Sequence, residues 1–250
     1  MIDSSRLVFI GGLHRSGTTL LGRLIAEHPD ASGFAGTDVP ADEGQHLQSV
    51  YPTARAFGGP GRFALNPEAH MTEDSDLVTP ASAERLLAEW SAHWDLSRSR
   101  LVEKSPPNLI RFRFLQALFP DASFVAVTRH PVAVAYATQK WSRTSISALL
   151  EHWVAAHECF VEDAQSLRRI ERVRYEDLVS ESPQTLGRLF DFVGLPHCTV
   201  AGSVEPGANE RYFAMWRADR RRFLAGRRLD RVARRLEPQV RALGYGLSDL

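Results

Sequence analysis

Cysteine is nearly missing from this chain: Cys159 and Cys198 are the only two among 250 residues. Neither belongs to a CxxC pair or to a Cys/His metal spacing. That leaves no disulfide framework and no sequence-level metal site, and two unpaired thiols fit a reducing, cytoplasmic setting. Long hydrophobic runs are also wanting. The first residues, MIDSSR, lack the regions of a signal peptide, and the apolar run that follows meets glycine too early to cross a bilayer, so no membrane role is expected. Nor does either charge predominate. Thirty basic residues offset thirty acidic ones, which removes a global electrostatic case for nucleic acid or membrane binding. The last part, from Glu205, is locally basic, with eleven arginines against six acids, a pattern that ordinarily marks solvated helix faces. There are no tandem repeats, and a chain that is 44% hydrophobic suffices for a single domain, 1–250, with a substantial core.

What the sequence does have is concentrated near its start. Leu7 to Ile10 is a short apolar run that reads as a buried strand, Gly11 and Gly12 break it, and Thr18 to Ala26 carries a helical pattern. Gly12 and Gly17 let the backbone curl so that N–H groups point inward, and the helix beginning near Thr18 adds the positive end of its dipole. A phosphate or sulfate fits such a turn. The glycine spacing is that of a P-loop, yet Thr18 stands where an NTPase has its lysine, and no acidic strand end for magnesium is evident. Arg15 sits inside the loop instead, a planar cationic fork suited to phosphate or sulfonate oxygens.

The run HRSGTTLL resembles the 5′-phosphosulfate loop of sulfotransferases that use 3′-phosphoadenylyl sulfate (PAPS), notably the branch of bacterial enzymes and tyrosylprotein sulfotransferases. EKSPPN at Glu103–Asn108, FVAVTRHP at Phe124–Pro131 and RYEDLV at Arg174–Val179 resemble the same family in the same order. The resemblance implies that Arg15, Ser16, Gly17, Thr18 and Thr19 bind the donor's 5′ end. It implies that Lys104 contacts the transferring sulfonate, that Arg129 binds the 3′-phosphate and that Tyr175 lies beside the adenosine. Adenosine 3′,5′-bisphosphate would be the product. The family usually has a serine eight residues after the arginine; this chain has Ala137, with Thr138 or Ser142 as substitutes. The family's catalytic base falls after the first helix, where Glu43 in DEGQHL is the choice and Asp42, Asp38 and His46 compete. Acids at this point also suit the first turn of a helix starting around Gly44. Arg211 or Arg217 would supply further 3′-phosphate contacts.

The remaining pattern alternates strands and helices. A short strand is expected at Ser32–Phe34, an irregular acceptor-side wall at 57–80, and a helix from Pro80 to about Leu96 carrying Trp90 and Trp94 to the core. Strands at Arg100–Glu103, Ser123–Thr128 and Ile170–Tyr175 place Lys104 and Arg129 at strand ends, where ligands of parallel α/β sheets gather. Helices are expected at Leu109–Phe119, from Pro131, at Ser145–Ala164 and from Ser182 to a stop at Gly194. His152 and His157, five apart, do not share a helix face and are structural. From Leu195 an extended piece leads to two short arginine-rich helices, 217–224 and 229–236. Together these predict a three-layer α/β domain around a mainly parallel sheet; the P-loop nucleotide-kinase-like architecture is implied by the resemblance. A sulfotransferase acting on an alcohol or phenol of a small molecule, without a metal, is the leading expectation. A small-molecule kinase with a variant loop and a non-catalytic nucleotide-binding module are the alternatives.

Overall fold

A computed structural model describes residues 2–200, 207–248 and 250. Its centre is β1 (Leu7–Gly12), in which every residue is buried. A strand apolar at consecutive positions needs cover on both faces, which is the situation of a parallel sheet. The sheet has five strands in the order β2 (Ala31–Gly33), β3 (Arg100–Lys104), β1, β4 (Ser123–Thr128), β5 (Ile170–Arg174), and every pairing is parallel. Side chains alternate along β1. Leu7 and Phe9 enter one core, where the Phe9 ring stacks on Phe119 and Phe124 at centroid distances of 5.7 and 5.8 Å. Val8 and Ile10 enter the other. Truncating Phe9 to alanine would cost about 3–5 kcal/mol.

Two helix layers close these cores. The Val8 side is covered by α1 (Thr18–Ala26), α6 (Tyr175–Ser180) and α7 (Ser182–Val193). The Phe9 side is covered by α2 (Pro80–Ser91), α3 (Phe112–Leu118), α4 (Pro131–Ser142) and α5 (Ile146–Asp163), then by α8 (Glu210–Arg220) and α9 (Phe223–Ala242). The expected three-layer arrangement is therefore present. Among the described residues no helix is long and apolar enough to cross a membrane, and Cys159 and Cys198 are unpaired thiols.

Several boundaries differ from the sequence reading, each for a physical reason. Gly11 and Gly12 do not break β1; they stay paired with Ala126 and Val127. Gly11 serves close approach, since a Cβ there would lie 2.5 Å from the Leu109 nitrogen. Helix α2 starts as expected, with the Thr79 side chain accepting from Ser82 N at 3.1 Å and Pro80 in the first turn. It ends at Ser91, and Trp94 reaches the core from beyond it, donating to the Val102 carbonyl at 3.0 Å. The two prolines of SPPN produce a 3-10 turn, Pro106–Ile110, so that α3 begins only at Phe112.

The segment 57–80 has no long helix or strand, as expected from its lack of a period, but it is packed. It runs through 3-10 turns at Phe63–Leu65 and Pro67–Ala69, and Phe63, Ala69 and Met71 are buried in the Phe9 core. The arginine-rich helices are also longer than expected. Tyr212 and Trp216 on α8, then Leu229, Ala233, Leu236 and Val240 on α9, form buried stripes that the surrounding arginines obscure in the sequence. Part of the extended piece before them, 201–206, lies outside the described residues.

Candidate active site

The loop at the carboxyl end of β1 is shaped by close approach. At Gly12 a Cβ would meet the Val127 carbonyl oxygen at 2.6 Å and Ser16 Oγ at 2.7 Å; at Gly17, with φ +108°, it would meet the Tyr175 ring at 2.6 Å. Arg15 also has a left-handed backbone, φ +71°. The turn closes through Ser16 N donating to the Leu13 carbonyl at 3.0 Å, and α1 begins with Leu21 N donating to the Gly17 carbonyl at 3.0 Å. The first N–H groups of α1 have no intrahelical acceptor, and Gly17 offers no side-chain cap. Ser16 is fully buried with an Oγ that has no hydrogen-bond partner. Unsatisfied donors around a curl are what an oxyanion would complete.

His14 is held neutral, its pKa pushed down to about 3, first by burial and then by the charges of Lys104 and His46. Its ring meets Phe63 edge-on at 5.7 Å, so the packed 57–80 segment braces the loop rather than lining it.

The end of β3 supplies two buried charges on opposite faces. Lys104 passes along α1, where a Cβ on Gly22 would lie 3.4 Å from its own Cβ. Its Nζ donates to the Ala41 carbonyl at 2.8 Å and stands 3.6 Å from Glu43 Oε1. Burial lowers the lysine's pKa, and the Glu43 carboxylate opposes that shift. Glu103, fully buried, has its pKa pushed up to about 7 by desolvation, although Ser105 Oγ donates to it at 2.6 Å and Asn108 Nδ2 also donates. It holds the turn beneath Gly44, where a Cβ would collide with Glu103 Oε1.

Glu43 is buried and also accepts from Gln45 Nε2. A 3-10 turn, not a helix, starts at Gly44, and Glu43 makes no side-chain cap to it, which leaves its carboxylate to Lys104 and the cavity. The competing acids are placed otherwise. Asp42 accepts from Thr37 N at 2.7 Å, and its pKa is lowered by hydrogen bonding to Thr37; Asp38 is exposed on a separate cleft with His93 and Trp94. His46 Nε2 lies 3.8 Å from Glu43 Oε2.

Arg129, at the end of β4, is buried and returns to the loop: Nη1 donates to the Arg15 carbonyl at 2.9 Å and Nε to Asn209 Oδ1 at 2.8 Å. Its guanidinium lies 4.0 Å over the Tyr175 ring, the same ring that rests against Gly17. Among the described residues, Arg129 Nη2 makes no side-chain hydrogen bond. Asn209 Nδ2 donates to Glu176 Oε1 at 2.7 Å, and Glu176 also accepts from His130 N and the Tyr245 hydroxyl, both at 3.0 Å. Neither residue is assigned a role by the sequence reading: Glu176 lies inside RYEDLV, and Asn209 stands just before RYFAMW.

Arg211 donates to its neighbour Tyr212, and Arg217 is exposed; it is Asn209 that reaches Arg129. Ala137 is buried in α4. Thr138 Oγ1 donates to the His14 carbonyl at 3.4 Å, and Ser142 Oγ accepts from Thr144 N at 3.3 Å, so these hydroxyls brace the loop and a turn.

A cavity of about 200 Å³ opens over the loop, lined by Arg15, Gly17, Thr18, Thr19, Glu43 and Arg129. Trp141, 62% exposed, stands at its rim with the Arg15 guanidinium 4.4 Å over its ring. Ser16 and Tyr175 lie behind this surface, and Lys104 joins it through Glu43 while lining an adjoining cleft of about 240 Å³ with Thr19, Phe34 and Asp42. The orphaned Ser16 hydroxyl, the free helix amides and the buried Arg129 fit a ligand with a negative group at each end.

A parallel sheet whose central strand ends in a glycine-turned loop, with a lysine and an arginine at the ends of the two neighbouring strands, has the P-loop nucleotide-kinase-like class of fold. Within that class the chain belongs to the Sulfotransferase family, whose sequence pattern matches residues 8–199. It is 26% identical over 199 residues to protein-tyrosine sulfotransferase 2 of Gallus gallus, covering 76% of this chain and 51% of that protein. Protein-tyrosine sulfotransferase 1 of Danio rerio is 24% identical, with 76% and 53% covered; the chain thus spans about half the length of these relatives. Among solved structures, the sulfotransferase domain of the Synechococcus PCC 7002 olefin synthase superposes with a TM-score of 0.54 at 22% identity, covering 83% of this chain and 87% of that one. The sulfotransferase domain from the curacin biosynthetic pathway gives 0.51 at 20% identity, covering 92% and 96%.

Proposed function

We propose that this protein transfers a sulfonate group from PAPS to the hydroxyl of a small alcohol or phenol. One observation carries the reading: a loop of unsatisfied donors, a buried carboxylate and a buried arginine line a single cavity, with the Lys104–Glu43 ion pair at its edge. The donor supplies an electrophilic sulfur bonded to a phosphate leaving group. In this reading the amides of Gly17, Thr18 and Thr19 hold its 5′ end, with Ser16 packed behind them, and Arg129, stiffened by Tyr175 and Asn209, takes the 3′-phosphate.

Glu43 accepts the proton of the acceptor hydroxyl as its oxygen bonds to sulfur and the bond from sulfur to the leaving phosphate breaks. Neutralising Glu43 loosens its hold on the Lys104 ammonium, so a full positive charge is released where the leaving oxygen gains its electron pair. Placing base, cation and loop amides around one point lowers the barrier by orientation as well as by charge. Two relatives named as protein-tyrosine sulfotransferases support a phenol as one acceptor class.

The test is transfer of labelled sulfonate from PAPS to a panel of phenols and alcohols, with a thermal-shift series of adenosine 3′,5′-bisphosphate, AMP and ATP alongside. Turnover and stabilisation by the bisphosphate are expected. Stabilisation by ATP with magnesium alone would favour a kinase, and bisphosphate binding without turnover on any acceptor would favour a binding module.

A further inference from the structure

The far end of α5 carries a cluster that sulfonate transfer does not use. Cys159 and Asp163 are four residues apart on α5 and share a helix face. His70, just after the 3-10 turn Pro67–Ala69, meets them: its Nε2 lies 2.9 and 3.1 Å from the two Asp163 oxygens, and Cys159 Sγ is 3.9 Å from Asp163 Oδ2. One nitrogen, one sulfur and one oxygen donor all stand within 4.8 Å of one another. Bond lengths of about 2.0–2.3 Å put the donor atoms of a tetrahedral zinc ion roughly 3.3–3.8 Å apart, so side-chain adjustment alone brings this set to coordination distance. The Asp163 side chain is 1% exposed and that of His70 33% exposed, which gives a rigid inner ligand and an entry path.

We propose that His70 Nε2, Cys159 Sγ and an Asp163 oxygen form a three-ligand site for a zinc-class divalent cation, with water as the fourth ligand. A thiolate and a carboxylate cancel the ion's two charges, and a sulfur donor selects against magnesium and calcium. Arg113 stands 3.4 Å from Asp163 Oδ1, but its guanidinium is already paired with Glu73, Nε donating to Glu73 Oε2 at 2.7 Å. Coordination requires a neutral imidazole and a thiolate, so binding weakens as pH falls. The ion would clamp onto α5 the chain that follows Phe63, whose ring meets His14 of the loop. It sits ten residues, about 15 Å, along the helix from Trp153, whose indole donates to the Arg129 carbonyl.

The site stands independently of the sulfotransferase reading. Full-length protein stripped with a chelator is titrated with Co²⁺ and then Zn²⁺. A sulfur-to-cobalt charge-transfer band that saturates at one ion per chain and is bleached by zinc is expected. Cys159→Ser should abolish the band, and both Cys159→Ser and His70→Gln should weaken zinc binding by at least about tenfold, while Cys198→Ser behaves as wild type. In the wild-type chain zinc should also protect Cys159 from alkylation, a readout that needs no variant to fold. Absence of the band, its persistence in Cys159→Ser, or alkylation of Cys159 at an unchanged rate with zinc present would overturn the proposal.

Discussion

Replacing Gly17 by alanine tests the shape of the Gly12–Gly17 loop at its tightest point. The residue has φ +108°, and an added Cβ would stand 2.6 Å from Tyr175 Cδ2. Tyr175 cannot simply retreat, because Arg129 lies 4.0 Å over its ring. Two costs add. A left-handed backbone on an L-residue costs about 1–2 kcal/mol, and forcing extra volume into a packed contact costs about 1–3 kcal/mol, for a total of about 2–5 kcal/mol. In a Tyr175→Ala background the second cost disappears and only the backbone part of about 1–2 kcal/mol remains. Urea unfolding of the four proteins gives the cycle, with the coupling between the two positions expected at about 1–3 kcal/mol. Bisphosphate affinity should fall in Gly17→Ala, since the Thr18 and Thr19 amides shift with it. An equal cost in both backgrounds, or a wild-type-background cost below about 0.5 kcal/mol, would refute the claim that this ring and this glycine fix the loop.

Further outcomes follow from the charges around the cavity. Glu43→Gln should lower kcat about 10²–10⁴-fold, and Lys104→Met about 10²–10³-fold; bisphosphate affinity by calorimetry should stay within a few-fold in both, and unchanged turnover in either would remove that residue from the mechanism. Glu103 has a folded pKa raised from 4.5 to about 7. Between these values the unfolded chain has already lost the proton that the folded chain keeps, so its contribution to stability is complete below about pH 4.5 and declines by about 3 kcal/mol as pH rises to 7. Urea unfolding at pH 5 and pH 8 should show this slope in wild type and its loss in Glu103→Gln; a slope that survives the substitution would assign it elsewhere. Thr79→Ala, which removes the cap of α2, should cost about 1 kcal/mol in the same assay without changing turnover; a turnover loss would mean that α2 reports to the site.

The parts of the site that are written locally were legible in the chain. A glycine-bounded loop after an apolar strand, and a lysine and an arginine at the ends of the next two apolar strands, place Thr18, Lys104 and Arg129 by backbone geometry alone, because parallel strands deliver their carboxyl ends to one edge. Glu43 could be singled out only by resemblance; its separation from Asp42 depends on Thr37 capturing the latter. Residues that arrive through tertiary packing were not legible. Asn209 meets Arg129 across 80 positions, and Glu176 gathers three donors from β4's end, α8's start and the carboxyl terminus. Irregular backbone misled in the same way: 57–80 carries no period, yet Phe63 and Met71 anchor it in the core. In α8 and α9 the arginines outnumber the apolar stripe they flank, so helix length was underestimated where charge dominated the pattern.

The central claim is that this cavity grips a nucleotide by two separate anionic ends, one in the Gly12–Gly17 loop and one at Arg129. Calorimetric titration of wild type and Arg129→Ala with adenosine 3′,5′-bisphosphate and with AMP measures it most directly. The account predicts that wild type binds the bisphosphate at least about tenfold more tightly than AMP, a charge-assisted contact being worth about 1.5–3 kcal/mol, and that Arg129→Ala erases this preference while still binding AMP. Equal affinity of wild type for the two nucleotides, or a preference that survives in Arg129→Ala, would contradict it.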